Sequence, residues 1–112
     1  MRLPNPERAF VDPVKLVGYC LSDEHPRGRN KARVFRSALG ITAGHADILR
    51  SALLAAAVSE QAEVGEGDSF GQRFVVDFWM SGPTGRAAIR SAWIVLAGED
   101  FPRLTTCYVR TP

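Results

Sequence analysis

Cysteine and histidine are scarce in this sequence, with two residues of each among 112. Cys20 and Cys107 lie far apart along the chain, so they form neither a disulfide framework nor a zinc motif, and we interpret them as small buried hydrophobic residues. His25 and His45 belong to no cluster with metal-ligand spacing, and phosphate-binding glycine loops and serine nucleophile elbows are also missing. The sequence therefore predicts no metal and no cofactor.

Long apolar runs are also missing. The longest uncharged apolar stretch, from Ser51 to Glu60, is far shorter than the roughly 20 residues that span a membrane. The first six residues, Met1 to Pro6, lack the apolar stretch of a signal peptide. We therefore expect a cytoplasmic protein without membrane contact. A hydrophobic content of 46% predicts a single domain over residues 1–112 with one core.

Lysine is rare, since arginine provides 12 of the 14 basic residues, and the net charge of +2 is unevenly distributed. The stretch from Arg27 to Arg36 carries five bases and no acid, whereas Glu60 to Asp68 carries four acids and no base. Arginine suits phosphate recognition, which favours a phosphate-bearing partner, although codon bias and solvated helix faces explain the same pattern. A small acidic protein is the expected neutralising partner of the basic stretch.

The first half of the chain has helical periodicity. Asp12-Pro13 predicts a capped helix to Leu21 with Val14, Val17 and Leu21 on its buried side. Asn30 is the expected cap of a second helix that carries Ala32, Phe35 and Leu39 and ends at Gly40. A third helix is predicted from Gly44 to Ser59, with its apolar stripe at Ile48, Leu49, Ala52, Leu53 and Ala56.

From Phe70 the apolar period changes to two, which is typical of strands. Runs at 70–80, 86–97 and 103–110 are separated by Gly/Pro-containing turns and predict an antiparallel meander of three to four strands. Gly65-Glu66-Gly67 with Asp68 is expected to be a flexible turn. The fold class is thus α+β, with three N-terminal helices packed on one face of a C-terminal sheet whose other face is open. Its predicted core comprises Phe35, Leu49, Leu53, Phe74, Val76, Ile89 and Trp93.

Two side chains in the helical half are candidates for chemistry. His25 lies in a polar loop and is a candidate general acid or base, or simply an exposed loop residue. Lys31 falls beside Phe35 on a helical wheel, away from the arginines, so its ammonium is expected at the sheet edge, or its stem covers apolar surface. His45 is expected to be a capping or surface residue.

On the sheet, the strand phase decides which polar residues are exposed. If Ile89, Trp93 and Val95 face the helices, Arg90 emerges on the open face together with Thr106 and Tyr108, and the three form an anion site. In the opposite phase Ser91 and Thr105 are exposed, and Tyr108 is in the core.

RNA can be cleaved by attack of its own 2′-hydroxyl on the phosphate, which needs only a base, an acid and cations. These roles could be filled by His25, Lys31, Arg90, Thr106 and Tyr108. Substrate would be bound by Arg27, Arg29 and Arg33.

Several short motifs resemble those of a family of bacterial domains of unknown function with toxin-like members. They are Glu24-His25-Pro26, Lys31-Ala32 with Phe35, Arg90, Trp93, Gly98 and the segment from Pro102 to Tyr108. Their helices-then-sheet order is similar to that of the superfamily of barnase, EndoU, the tRNA-cutting colicins and RelE. The resemblance implies a metal-independent ribonuclease toxin with a small neutralising partner. It gives His25 and Lys31 the acid/base and cation roles, and Thr106 and Tyr108 substrate contacts. EndoU-like sites have a second histidine, which has no counterpart here.

Two other functions remain open. A non-catalytic protein-binding module, such as an antitoxin or immunity partner, would use the open sheet and an acidic loop from Glu60 to Asp68. A small-molecule binding domain would line a pocket with Phe78, Trp79 and Trp93.

Overall fold

Helices occupy the first half of the chain in the computed structural model, which describes residues 1–110. They are α1 (Pro13–Lys15), which continues as a π-helical turn (Leu16–Cys20), α2 (Arg29–Leu39) and α3 (Ala46–Ser59), with 3₁₀ turns at Pro6–Arg8 and Ala43–His45. Asp12 caps α1 by accepting the Val14 N–H at 3.0 Å, and Pro13 occupies the first helical position, as predicted.

The buried side of the first helix differs from the prediction. Val14 and Val17 are exposed, whereas Leu16 and Cys20 are fully buried beside Leu21. The cause is the π-helical turn, in which the Leu21 N–H donates to the Leu16 carbonyl five residues earlier. This wider turn changes the angle between successive side chains, so the regular helical spacing selected the wrong face.

The helices α2 and α3 differ from the prediction at two points, the N-terminal cap of α2 and the buried side of α3. The predicted cap Asn30 lies inside α2, which begins after Gly28, while Gly40 ends the helix in a left-handed conformation with φ of 72°. On α3 the residue Ile48 of the predicted apolar stripe is half-exposed, whereas Ala57, outside that stripe, is buried. His45 does cap, since its Nδ1 accepts the Thr42 N–H at 3.0 Å.

The second half is one antiparallel sheet in the order β1-β2-β3-β4, which confirms the α+β class with helices before an antiparallel sheet. Its strands are β1 (Ala62–Gly67), β2 (Gly71–Gly82), β3 (Gly85–Leu96) and β4 (Arg103–Val109). The predicted flexible turn and acidic loop are therefore wrong, because most of that segment is β1, which pairs with β2 from Ala62 opposite Val76. Pairing with a neighbouring strand overrides the low strand propensity of Gly and Glu.

One continuous hydrophobic cluster joins the helices to one face of the sheet, and it contains all seven predicted core residues. Ser91 is the buried polar residue within it. Its hydroxyl donates to the Val76 carbonyl at 2.7 Å and accepts the Trp93 indole N–H at 2.9 Å, so every polar atom of this group is satisfied. Within residues 1–110 no single helix is long and apolar enough to cross a membrane; Arg29–Leu39 and Ala43–Ser59 reach that length only together, bent by 69°.

A bulge in β4 shapes the sheet edge beside α1. Ala92 pairs with Thr106 but Trp93 pairs with Leu104, so Thr105 is an extra residue. Leu104 is therefore buried, although strict strand alternation would place it on the same side as Thr106 and Tyr108. The backbone of Phe10 bonds to β4 at Pro102 and Leu104, which anchors the segment leading into α1 along the same edge.

Candidate functional site

A cavity of about 480 Å³ lies between α1, the His25 loop and the bulged edge of β4. The chemically active side chains in its lining are Asp12, Lys15, Tyr19, His25, Arg27, Thr105 and Thr106. The bulge matters here, because it lets two consecutive threonines reach the same cavity. Among the described residues of the lining Asp12 is the single acid, so the cavity is predominantly cationic and rich in hydroxyl groups.

Lys31 connects this cavity to the helix behind it. Its Nζ donates to the Tyr19 hydroxyl oxygen at 2.6 Å and lies 3.4 Å from Thr106 Oγ1. Within residues 1–110 no carboxylate forms a salt bridge with this ammonium. Lys31 is half-buried, so its charge acts on the cavity wall through two hydroxyl groups and is not cancelled by an acid.

The ring of His25 is fixed by its own loop. Its Nδ1 accepts the backbone N–H groups of Arg27 at 3.0 Å and Gly28 at 3.1 Å, and the ring packs edge-on against Tyr19 with centroids 4.8 Å apart. Because Nδ1 is an acceptor, the neutral ring carries its proton on Nε2. His25 therefore presents a hydrogen-bond donor. It also stabilises its own loop, a role that the alternative of a simple exposed loop residue did not include.

Gly28 is the point at which that loop touches α1. A Cβ atom built on Gly28 would collide with the carbonyl oxygen of Tyr19. The loop and the helix are thus in backbone contact, and a glycine is required at this position. This contact holds His25 and Tyr19 next to each other.

Arg90 emerges on the open face, as the stated strand phase requires, but it is paired there. Its guanidinium donates two hydrogen bonds to Asp77, each at 2.9 Å, and Arg110 donates a third to the same carboxylate at 2.8 Å. The hydrogen bond from Arg90 and the charges of both arginines hold the pKa of Asp77 below its usual value, and Asp77 in turn raises the pKa of Arg90. The structure therefore separates Arg90 from the cavity that contains His25.

Tyr108 lies on the other side of Lys31. With Asn30, Val34 and the stem of Lys31 it lines a second, mainly apolar cavity of about 280 Å³. The Lys31 ammonium is 5.9 Å from the centre of the Tyr108 ring. Lys31 thus stands between a polar cavity with His25 and Thr106 and an apolar one with Tyr108.

The three arginines predicted to bind substrate divide into two places. Arg27 lines the same cavity as His25. Arg29 and Arg33 lie on the exposed face of α2 beside Asn30, where Arg36 forms a salt bridge with Asp23. Of the three predicted substrate-binding arginines, only Arg27 therefore lies next to His25.

Sequence reasoning missed Asp12, Lys15, Tyr19 and Thr105. A signal for part of this set was present, because Lys15, Gly18 and Tyr19 recur at helical spacing and mark a polar side of the first helix. Thr105 depends on a bulge, which the alternating pattern of a strand does not reveal. Within the described residues, no group of three or more His, Cys, Asp or Glu side chains is placed to hold a metal ion.

The aromatic pocket of the small-molecule alternative does not form. Phe78 and Trp93 are buried in the core, whereas Trp79 points to the opposite face, where it is 62% exposed and lies against Arg86. Adjacent strand residues face opposite sides of a sheet, so Phe78 and Trp79 cannot line one pocket.

Comparison with known proteins places the chain in a family. A family model described as "Domain of unknown function (DUF6883)" matches residues 2–111, so the chain belongs to this family. Among solved structures, the fold is similar to a chain of the contact-dependent growth inhibition toxin–immunity protein complex from Klebsiella pneumoniae 342, with 20% identity and a TM-score of 0.67. The match covers 96% of this chain and 97% of the other. None of the curated proteins matches the sequence.

Proposed function

We propose that the chain is a toxin-like, metal-independent ribonuclease that cleaves RNA by attack of the 2′-hydroxyl on the adjacent phosphate. The observation that carries this proposal is the cavity at the β4 edge, where a histidine donor and an acid meet two hydroxyl groups bound to the Lys31 ammonium, which has no carboxylate partner within residues 1–110. The likeness to a chain of a toxin–immunity complex supports the toxin part of the proposal.

The proton transfers are assigned from the hydrogen bonds of each group. His25 holds Nδ1 toward its own loop, so its Nε2–H is free to hydrogen-bond the charge that develops on the leaving 5′-oxygen, which then takes its proton from water. Asp12 uses one carboxylate oxygen, Oδ1, to cap α1. Its other oxygen is therefore available to accept the 2′-hydroxyl proton, which supplies the base that the sequence alone left unassigned.

Charge stabilisation falls to the cations around the same space. Lys31 donates to the Tyr19 oxygen, so the Tyr19 hydroxyl proton points away from the ammonium and is free to bond a phosphate oxygen. Thr106 offers a further hydroxyl donor, whereas the Thr105 hydroxyl already donates to the Ala92 carbonyl, and Arg27 and Lys15 add positive charge at the rim. Such preorganised donors oppose the growing charge of the pentacoordinate phosphate.

Tyr108 is assigned to substrate binding on the far side of Lys31. Its ring lines the apolar cavity, which suits a nucleobase stacked on an aromatic face. Arg90 is assigned only a supporting role, because Asp77 already binds the Nε and Nη2 groups of its guanidinium.

The test is the rate of single-turnover RNA cleavage in excess chelator, using variants that keep the fold. Asp12→Asn preserves the helix cap but not the base, and His25→Asn preserves an acceptor for the loop amides but not the Nε2–H donor. Each variant should lose on the order of 10² to 10⁴ in rate. Unchanged rates in both variants would contradict the assignment.

We further propose a small acidic protein as the partner of the α2 face. Arg29 and Arg33 are exposed there, and they form no salt bridge within residues 1–110. An acidic surface would pair with them and cover the adjacent cavity with Tyr108. Co-purification with the product of the neighbouring gene, lost in an Arg29→Glu/Arg33→Glu variant, is the expected result.

The second candidate function is a non-catalytic, immunity-type binding module. The same fold likeness favours it, because the matched structure is a complex of a toxin with its immunity protein. The two functions separate in one experiment: a chain that forms a stable complex with a neighbouring gene product but cuts no RNA is the binding module.

A further inference from the structure

The two cysteines, 87 positions apart in sequence, meet in the core directly behind the candidate site. Both are fully buried, Cys20 at the end of the π-helical turn and Cys107 in β4. Cys20 Sγ lies 3.8 Å from the hydroxyl oxygen of Thr106, the residue next to Cys107. The π-helical turn packs against β4, so the fold itself brings the two thiols together.

The two thiols affect each other's acidity in opposite directions. The hydrogen bond from Cys107 lowers the pKa of Cys20 to about 6, with smaller contributions from Thr106 and the charge of Lys31. The same contact and burial raise the pKa of Cys107. The pair therefore releases one proton readily, and the resulting thiolate, the reactive form of cysteine, is centred on Cys20.

A small oxidant has a short route to this pair. Tyr19 and Thr106 line the cavity of about 480 Å³, and they are the chain neighbours of Cys20 and Cys107, respectively. Cys20 Sγ lies 3.8 Å from the hydroxyl oxygen of Thr106, so one side chain of the cavity lining is in direct contact with the Cys20 thiol. A peroxide is small enough to cross this lining through a local opening.

We propose that Cys20 and Cys107 are a redox pair that peroxide converts to an intramolecular disulfide. The Cys20 thiolate attacks one peroxide oxygen, forms a sulfenic acid and releases hydroxide. The Cys107 sulfur then attacks the Cys20 sulfur, the S–S bond forms, and the sulfenic oxygen leaves as water with the Cys107 proton. The two sulfurs together lose two electrons and the peroxide gains them.

The disulfide would fasten the π-helical turn to β4 across most of the chain. Closing so long a loop restricts the unfolded chain, so the oxidised protein should melt roughly 10 °C above the reduced one. This inference is independent of the proposed ribonuclease, because it concerns the thiols alone.

The experiment treats the reduced, folded chain with hydrogen peroxide, blocks remaining thiols with iodoacetamide after denaturation, and measures the mass. The expected product has lost two hydrogens, carries no alkyl group, yields a peptide linking Cys20 to Cys107, and reverts with dithiothreitol. Recovery of both thiols in alkylated form, or formation of intermolecular dimers only, would overturn the proposal.

Two single-cysteine variants test the order of the steps. Cys107→Ser keeps a polar donor beside Cys20 in place of the Cys107 thiol that lowers its pKa, and this variant should react with dimedone, a trap for sulfenic acid, during peroxide treatment. Cys20→Ala keeps only Cys107, whose burial favours the protonated thiol, and should label far less. Equal labelling of both folded variants would contradict the assignment of Cys20 as the attacking thiolate, and the wild-type mass measurement decides the proposal if either variant fails to fold.

Discussion

Replacement of Lys31 by methionine separates the chemical role of the ammonium from its structural role. The substitution keeps the length of the side chain but removes the donor to the Tyr19 oxygen at 2.6 Å and the contact with Thr106 at 3.4 Å. Both hydroxyl groups border a cavity, so solvent can replace the lost donor. We therefore expect a loss of unfolding free energy of only about 1 kcal/mol, or roughly 4 °C in Tm.

The effect on RNA cleavage should be much larger. Removal of one preorganised cation or donor from a transition state typically costs on the order of 10² to 10³ in rate, so Lys31→Met should lose about that factor in single-turnover cleavage. Because the half-buried ammonium has no carboxylate partner within residues 1–110, its full charge is available to oppose that of the phosphate.

Arg86→Met is the matched control, because it changes the net charge by the same amount. Arg86, on β3, lies against Trp79. It is six residues along the strand from Ala92, which pairs with Thr106, so Arg86 is about 20 Å from the site. Its cleavage rate should stay within about threefold of wild type, since only long-range attraction changes. Equal losses in the two variants would show that Lys31 contributes only bulk charge, and a fully active Lys31→Met would refute the site.

Three further predictions concern the framework of the site. Asp77→Asn should lower the unfolding free energy by about 1 kcal/mol at neutral pH, because the carboxylate binds two half-exposed arginines. Folding lowers the pKa of Asp77, so this stabilisation is present above the unfolded pKa and is lost as the pH falls through the folded pKa. In calorimetry the stability difference between variant and wild type should therefore vanish in acid. Ser91→Ala should cost about 1–3 kcal/mol in urea unfolding, because the buried Trp93 N–H loses its acceptor, and a neutral result would contradict this interpretation. Gly28→Ala should lower both Tm and cleavage, because its Cβ would displace the His25 loop from Tyr19, whereas Gly44→Ala, where the added Cβ makes only an ordinary contact with Thr42 at 3.7 Å, should leave cleavage unchanged.

Much of the fold could be predicted because it depends on local periodicity. The alternation from Phe70 and the helical stripe with Phe35 and Leu53 locate the core, and Gly40 marks the end of α2. What escaped prediction depends on irregular backbone or on distant pairing. The π-helical turn exchanges Val17 for Cys20 on the buried side, and β1 exists because β2 provides a partner for a segment of low strand propensity.

The candidate site was predictable only in part, for a related reason. His25 and Lys31 are distinguishable by residue type and by position on a loop or helix. Tyr19 and Asp12 join them because the N-terminal segment pairs with β4 at Phe10, a contact between residues more than ninety positions apart. The pairing of Arg90 with Asp77 likewise follows from the register of β2 and β3, which alternation alone does not fix.

The central claim is that RNA supplies its own nucleophile at this site. The most direct measurement compares two oligonucleotides of one sequence, one with ribose throughout and one with 2′-deoxyribose throughout, incubated with the wild-type chain in excess chelator. If the 2′-hydroxyl is the nucleophile, the ribose strand is cut to products with 2′,3′-cyclic phosphate ends and the deoxyribose strand stays intact. Cleavage of both strands at equal rates, or of neither, would contradict it.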